Sequence, residues 1–167
     1  MNRLALTSNS SCETEELGRR LGSLLTRGTF IALHGELGSG KTCFTRGVVA
    51  AAAPESAHLV ASPTFAIMNE YPGTVPIYHF DFYRLTNCHE IAELGFDEYL
   101  HDNGICIAEW SERLGELLPP DYLSITFEHA GDDLRHIVFA SNGPETAGLL
   151  NQLATLEKLV IPISNQG

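Results

Sequence analysis

The sequence predicts an α/β fold, a three-layer sandwich whose mostly parallel sheet ends in an antiparallel C-terminal hairpin. Three observations carry this expectation. Strand-like and helix-like runs alternate early in the chain, the pattern of a parallel sheet with crossover helices. A glycine-rich octapeptide, Gly35-Glu36-Leu37-Gly38-Ser39-Gly40-Lys41-Thr42, joins an apolar β-rich run to a helical one. Late in the chain, two β-rich stretches flank Gly131-Asp132-Asp133.

Taken in order, a first helix is expected from Glu13 to Arg27. Leu17, Leu21, Leu24 and Leu25 form its apolar stripe, Ser10 and Glu13 have capping-box spacing, and Gly28 ends it. Thr29–Leu33 reads as a strand, followed by the glycine loop and a helix from Lys41 to Ala53. Phe65–Tyr71 and Val75–Phe82 are further extended stretches, the latter rich in β-formers at Ile77-Tyr78-His79-Phe80. Asn87–Leu94 reads as a short helix with an Asn87–Glu90 capping pair. Gly104–Ala108 is almost wholly apolar and is expected to be buried on both faces. Tyr122–Glu128 and Leu134–Ala140 make the hairpin, and a helix near Glu145–Leu156 closes the chain. No repeat, low-complexity segment or linker interrupts the 167 residues, so one domain spanning 1–167 is expected.

Composition narrows the function classes. A hydrophobic fraction of 44% is ordinary for a soluble globular protein, and no run approaches the roughly 20 apolar residues of a membrane span. Arg3-Leu4-Ala5-Leu6 is too short an apolar stretch for a signal peptide. Cys12, Cys43, Cys88 and Cys106 have no metal-type spacing and read as reduced thiols of a cytosolic protein. The net charge of −11 argues against direct, independent binding of nucleic acid, which needs a basic stripe. Any link to RNA would run through a partner.

The octapeptide fits G-x-x-x-x-G-K-[ST], a loop whose backbone N–H groups wrap nucleotide phosphates, as in P-loop NTPases. Glycines are needed because the chain must take positive φ angles and approach the phosphate closely. Lys41, one of only two lysines, would reach the β- and γ-phosphates, and the Thr42 hydroxyl would bind Mg²⁺. Glu36, Leu37, Gly38, Ser39 and Gly40 complete the nucleotide-binding loop.

Such an enzyme usually places a second acid at a neighbouring strand end to complete the Mg²⁺ shell. Asp81 and Glu109 both follow apolar strands and both qualify. Glu109 could instead orient the attacking water. Each acid could also face solvent or cap the next helix. Ser62-Pro63-Thr64-Phe65 lies where a γ-phosphate-sensing loop would sit, with the Thr64 hydroxyl as its contact, although an ordinary turn reads the same way. His79 reads as a packed or hydrogen-bonded histidine. Arg84 could pair with a phosphate or a carboxylate. Trp110, the only tryptophan, is expected to pack at the strand end.

The glycine loop, Ser62-Pro63-Thr64-Phe65, His79-Phe80-Asp81-Phe82-Tyr83-Arg84-Leu85 and Glu109-Trp110, in this order, resemble the TsaE (YjeE) family. These are the small bacterial ATPases of the tRNA threonylcarbamoyladenosine pathway. The resemblance covers essentially the whole chain. It implies a P-loop NTPase-like fold, a cytoplasmic protein, ATP and Mg²⁺ as ligands, and slow hydrolysis when alone. It implies the TsaD–TsaB pair as partners, which modify tRNA beside the anticodon, with tRNA met only through them and no membrane. It places Asp81 and Glu109 at the Mg²⁺–γ-phosphate end and Thr64 in a switch-like segment. Arg135 matches a late arginine that contacts nucleotide, in a stretch departing from the commoner form with a basic residue directly after the glycine. The family's base pocket draws on the segment here numbered Thr7 to Ser11.

Two other classes begin with a phosphate loop. A small-molecule kinase gathers basic residues around two phosphorylated substrates, and the eight arginines here are concentrated nowhere. The other is a non-hydrolysing nucleotide-dependent regulator, against which Asp81 and Glu109 beside a magnesium site argue for hydrolysis, though not for a fast rate. No N-K-x-D guanine signature is present.

Overall fold

The computed structural model describes residues 2–61, 67–101 and 104–159. Its elements are β1 (Arg3–Ser8), α1 (Ser11–Gly22), β2 (Phe30–His34), α2 (Lys41–Ala52), β3 (Met68–Tyr71), β4 (Ile77–Asp81), α3 (Cys88–Glu93), α4 (Phe96–His101), β5 (Ile105–Glu109), β6 (Leu123–His129), β7 (Arg135–Ser141) and α5 (Pro144–Leu159). Of the extended stretch expected at Phe65–Tyr71, the strand occupies Met68–Tyr71, and Phe65 falls outside the described residues.

The strand order is β1-β7-β6-β2-β5-β4-β3. β2 lies between β6 and β5, parallel to both, and β4 runs parallel to β5. Antiparallel strands close both margins, β7 and β1 on one side and β3 on the other. The hairpin was expected. The strand at Arg3–Ser8 was not, because a short edge strand half-buried on one face leaves only a weak alternating signal.

Alternation along the central strands builds the layers. On β2, Ile31 and Leu33 join Leu17 and Leu21 of α1, Phe44 and Val48 of α2, and Leu150 and Leu153 of α5 in one apolar layer. Phe30 and Ala32 face the other way, toward Phe80, Ile91 of α3 and Phe96 of α4. A parallel strand covered on both faces reads as a continuous apolar run, and Phe30–Leu33 does.

Helix α1 ends at Gly22, where Ser23 caps it by donating its N–H to the Arg19 carbonyl, rather than continuing to Arg27. Leu24 and Leu25 still pack on the core, but from turns closed by Leu24 N–H to Leu21 O at 2.9 Å and Leu25 N–H to Gly22 O at 3.4 Å. Leucines at helical spacing cannot reveal that the chain must turn to enter β2. The cap at the other end is as expected: Ser10 Oγ accepts from Glu13 N–H at 3.1 Å. Glu13 reaches back to the Asn9 N–H, at 2.6 Å, rather than to that of Ser10.

Helices α1 and α2 cross backbone to backbone. A Cβ built on Gly47 would stand 1.9 Å from the Glu15 carbonyl oxygen, and one on Gly18 would stand 2.1 Å from that of Phe44. Only glycines permit this approach, and it fixes the helix behind the glycine loop. Gly47→Ala is expected to destabilise the fold by about 1–3 kcal/mol through overpacking, lowering the thermal midpoint by several degrees in a melt followed by circular dichroism. Gly148→Ala, where no atom lies within 4 Å of the added Cβ in helix α5, is expected to be neutral or slightly stabilising in the same melt.

Candidate nucleotide site

The glycine loop begins where β2 leaves the sheet. Gly35 has φ +149°, and a Cβ there would meet Ser39 Oγ at 2.6 Å and the Phe127 carbonyl oxygen at 2.9 Å. Gly40, in left-handed conformation with φ +109°, is the N-cap of α2 and offers no side chain to its first turn. The N–H groups and positive dipole end of that turn are therefore available to an anion. Phe44 seats the helix against Phe127 of β6 and Phe139 of β7, with ring centroids 5.4 and 6.1 Å away.

A cavity of about 560 Å³ opens over the loop. The loop from Gly35 to Thr42 forms its floor, Asp81 and Glu109 one side, and Asp133 with Arg135 another. Lys41 donates from Nζ to the Gly35 carbonyl oxygen, and the same nitrogen lies 3.5 Å from Glu109 Oε1. The second oxygen of Glu109 lies 2.9 Å from His79 Nε2. An ionised carboxylate only accepts, so Nε2 carries the proton of this bond. Burial pushes the Glu109 carboxyl up, but the hydrogen bond and charge of His79 together with Lys41 outweigh it and hold the carboxyl below its ordinary range.

Asp81 is paired with Glu109 in the β4–β5 register, is 6% exposed, and accepts the Tyr83 N–H at 2.9 Å. Arg135 lies over the loop, donating to the carbonyl oxygens of Ser39 at 3.1 Å and Gly38 at 3.3 Å. Glu36 accepts the Ser39 N–H through its carbonyl, while the Leu37 side chain is 100% exposed at the loop tip. Trp110 packs at the strand end on the surface, beside Tyr83 at 5.0 Å between ring centroids. Thr64 and the rest of Ser62-Pro63-Thr64-Phe65 lie outside the described residues, and Arg84 is exposed on the segment after β4.

Sequence reasoning did not single out Thr14, Tyr83, Cys43 and Asp133, which also line the cavity. Thr14 is 2% exposed and shares a 2.7 Å hydrogen bond with Ser8 Oγ. Only the unforeseen strand β1 brings Ser8 to it, so no spacing pointed there.

Among the described residues no cluster of three His, Cys, Asp or Glu side chains could cage a metal. Mg²⁺ needs less: one or two carboxylates, with water and phosphate completing its shell. The all-oxygen set of Thr42, Asp81 and Glu109 around one cavity fits that ion.

A sequence model described as threonylcarbamoyl adenosine biosynthesis protein TsaE matches residues 8–137. The chain belongs to the TsaE family. The TsaE protein of Bacillus subtilis is 38% identical over 143 residues, covering 85% of this chain and 88% of its own. Those of Treponema pallidum, 33% identical over 80% of this chain and 97% of theirs, and Streptomyces coelicolor, 37% identical over 79% and 93%, are named as tRNA threonylcarbamoyladenosine biosynthesis proteins too. The crystal structure of YdiB from Bacillus subtilis superposes with a TM-score of 0.76 at 32% identity, covering 93% of this chain and 96% of that one. This agrees with the α/β fold expected of TsaE proteins. No helix among the described residues is long and apolar enough to cross a membrane.

The Glu109 arrangement yields a pH dependence. Its lowered native value adds stability that is fully present above the ordinary carboxylate value of 4.5 and is lost as pH falls through the native value. Thermal midpoints of wild type and Glu109→Gln measured across pH are therefore expected to converge below pH 4.5.

Proposed function

We propose that this TsaE-family protein binds ATP with Mg²⁺ and hydrolyses it slowly, in association with the TsaD–TsaB pair that modifies tRNA beside the anticodon. The observation that carries the reading is the Glu109 carboxylate at the end of β5, held between Lys41 and His79 and facing the same cavity as Thr42 and Asp81.

The chain's own groups suggest the division of labour. The N–H groups of the loop and of the first turn of α2 cradle the phosphates. Lys41 exchanges its protein oxygens for those of the β- and γ-phosphates. Bound by Thr42 and one or both acids, Mg²⁺ would neutralise charge on the phosphate oxygens. The remaining carboxylate oxygens of Asp81 and Glu109 accept a hydrogen bond from water and aim it at the γ-phosphorus. A carboxylate held below its usual range is a weak base, so Glu109 suits positioning of water better than abstraction of its proton. Phosphoryl transfer through a loose transition state requires little more. Slow turnover is the natural result.

Exposed Leu37, Tyr83 and Trp110 at the cavity mouth give a protein partner apolar surface beside the nucleotide. The acidic chain leaves RNA contact to that partner.

The test is phosphate release from ATP by the purified protein, alone and with TsaD–TsaB. Weak activity that rises with the partners is expected. Lys41→Ala should lower it by roughly 100-fold or more, and Asp81→Ala and Glu109→Ala should each lower it while changing its Mg²⁺ dependence. Turnover indifferent to the partners, or none at all, would sink the coupled role. Transfer of the phosphoryl group to an acceptor other than water would favour a kinase.

A further inference from the structure

Outside the loop and the two acids, the most unusual side chain of the central sheet is His79. It is fully buried at 0% exposure on β4, on the face shared with Ile77 and Ile107. Its ring lies 6.4 Å from that of Tyr71, and its one hydrogen bond among the described residues is the 2.9 Å contact from Nε2 to Glu109 Oε2. Nδ1 is buried with no hydrogen-bond partner among the described residues. An unmatched nitrogen in a core costs free energy that an apolar side chain of similar size would avoid. Packing alone therefore gives no reason for an imidazole here.

The bond to Glu109 does. Without it, the carboxylate at the end of β5 has among the described residues one side-chain ion-pair partner, Lys41, at 3.5 Å. Lys41 is the group that must turn to the phosphates when nucleotide binds. A glutamate tied only to Lys41 would lose its orientation at the moment it is needed. His79 holds Oε2 from the sheet interior, independently of Lys41, and leaves Oε1 toward the cavity.

We infer that His79 is a positioning residue: its Nε2–H fixes the rotamer of Glu109 so that Oε1 stays aimed into the nucleotide cavity after Lys41 has moved to phosphate. This inference rests on the ATPase reading above and adds to it a residue that touches neither nucleotide nor metal. Asp81 has a separate anchor, the Tyr83 N–H, so the two acids are held by different devices.

The test compares wild type, His79→Leu, His79→Gln, Glu109→Gln and the His79→Leu/Glu109→Gln double variant. Melts first establish that each is folded, and ATP turnover is then followed with TsaD–TsaB. His79→Leu is expected to lower kcat by roughly 10- to 100-fold with KM for ATP little changed. His79→Gln, whose amide can donate in place of Nε2, should regain most of the loss. The double variant should be no slower than Glu109→Gln alone, because both changes remove one unit. Nitrogen-15 spectra of labelled histidine in nucleotide-free protein give a readout without turnover. They should show Nε2 protonated and its shift moved by Glu109→Gln. Equal losses for Leu and Gln, an additive double variant, a loss confined to KM, or an unprotonated Nε2 would each overturn the role. Wild type inert toward ATP overturns the ATPase reading and this role with it, whereas wild type active and His79→Leu equally fast overturns this role alone.

Discussion

The parallel register of three central strands is the constraint on which the site depends. Leu33 of β2 and Asp81 of β4 both pair with Glu109 of β5. The glycine loop leaves β2 two residues after Leu33, so the returning Lys41 reaches the end of β5 without any insertion. A slip of one residue would turn Glu109 into the layer of Phe80 and Phe96 and bring Ala108 to the loop. Such a slip is costly because β5 is apolar on both faces, and each face is already matched to its own helices. The burial that stabilises the sheet thus also aligns the acids.

Around this centre the chain makes walls from distant parts. Helix α1 contributes Ser11 and Thr14 to the cavity, and it can do so because Gly18 and Gly47 let it lie against α2. The β6–β7 hairpin contributes Asp133 and Arg135 and holds α2 through two aromatic contacts. The loop is therefore gripped on both sides, by a close helix crossing and by a guanidinium lying on its carbonyl oxygens.

Much of this was legible in the sequence, for identifiable reasons. Glycines at 35, 38 and 40 followed by Lys41 have few uses, and strands such as Ile105–Ala108 declare double-sided burial by being apolar throughout. The acids were visible because each ends such a strand. Helix α4 and strand β1 were not, since one is a single short helical segment and the other an edge strand with a one-sided pattern. The end of α1 was misplaced because leucines serve equally well in a helix and in a turn packed on the same core. His79 reads as a packed or hydrogen-bonded histidine, and it is both; only the fold shows that its partner is a carboxylate thirty positions later in the chain.

Strand β1 has a broader meaning. Ser8 sits opposite Arg135 across the β1–β7 pair, and the same residue hydrogen-bonds Thr14 at the start of α1. The first few residues are thus a strut between two walls of the cavity, although none of them belongs to a recognisable motif. A minimal fragment cut to begin at β2 would keep the glycine loop, both strand-end acids and His79, yet lack the brace that holds Arg135 on the loop. In this architecture the smallest piece containing every motif is smaller than the smallest piece able to shape the site.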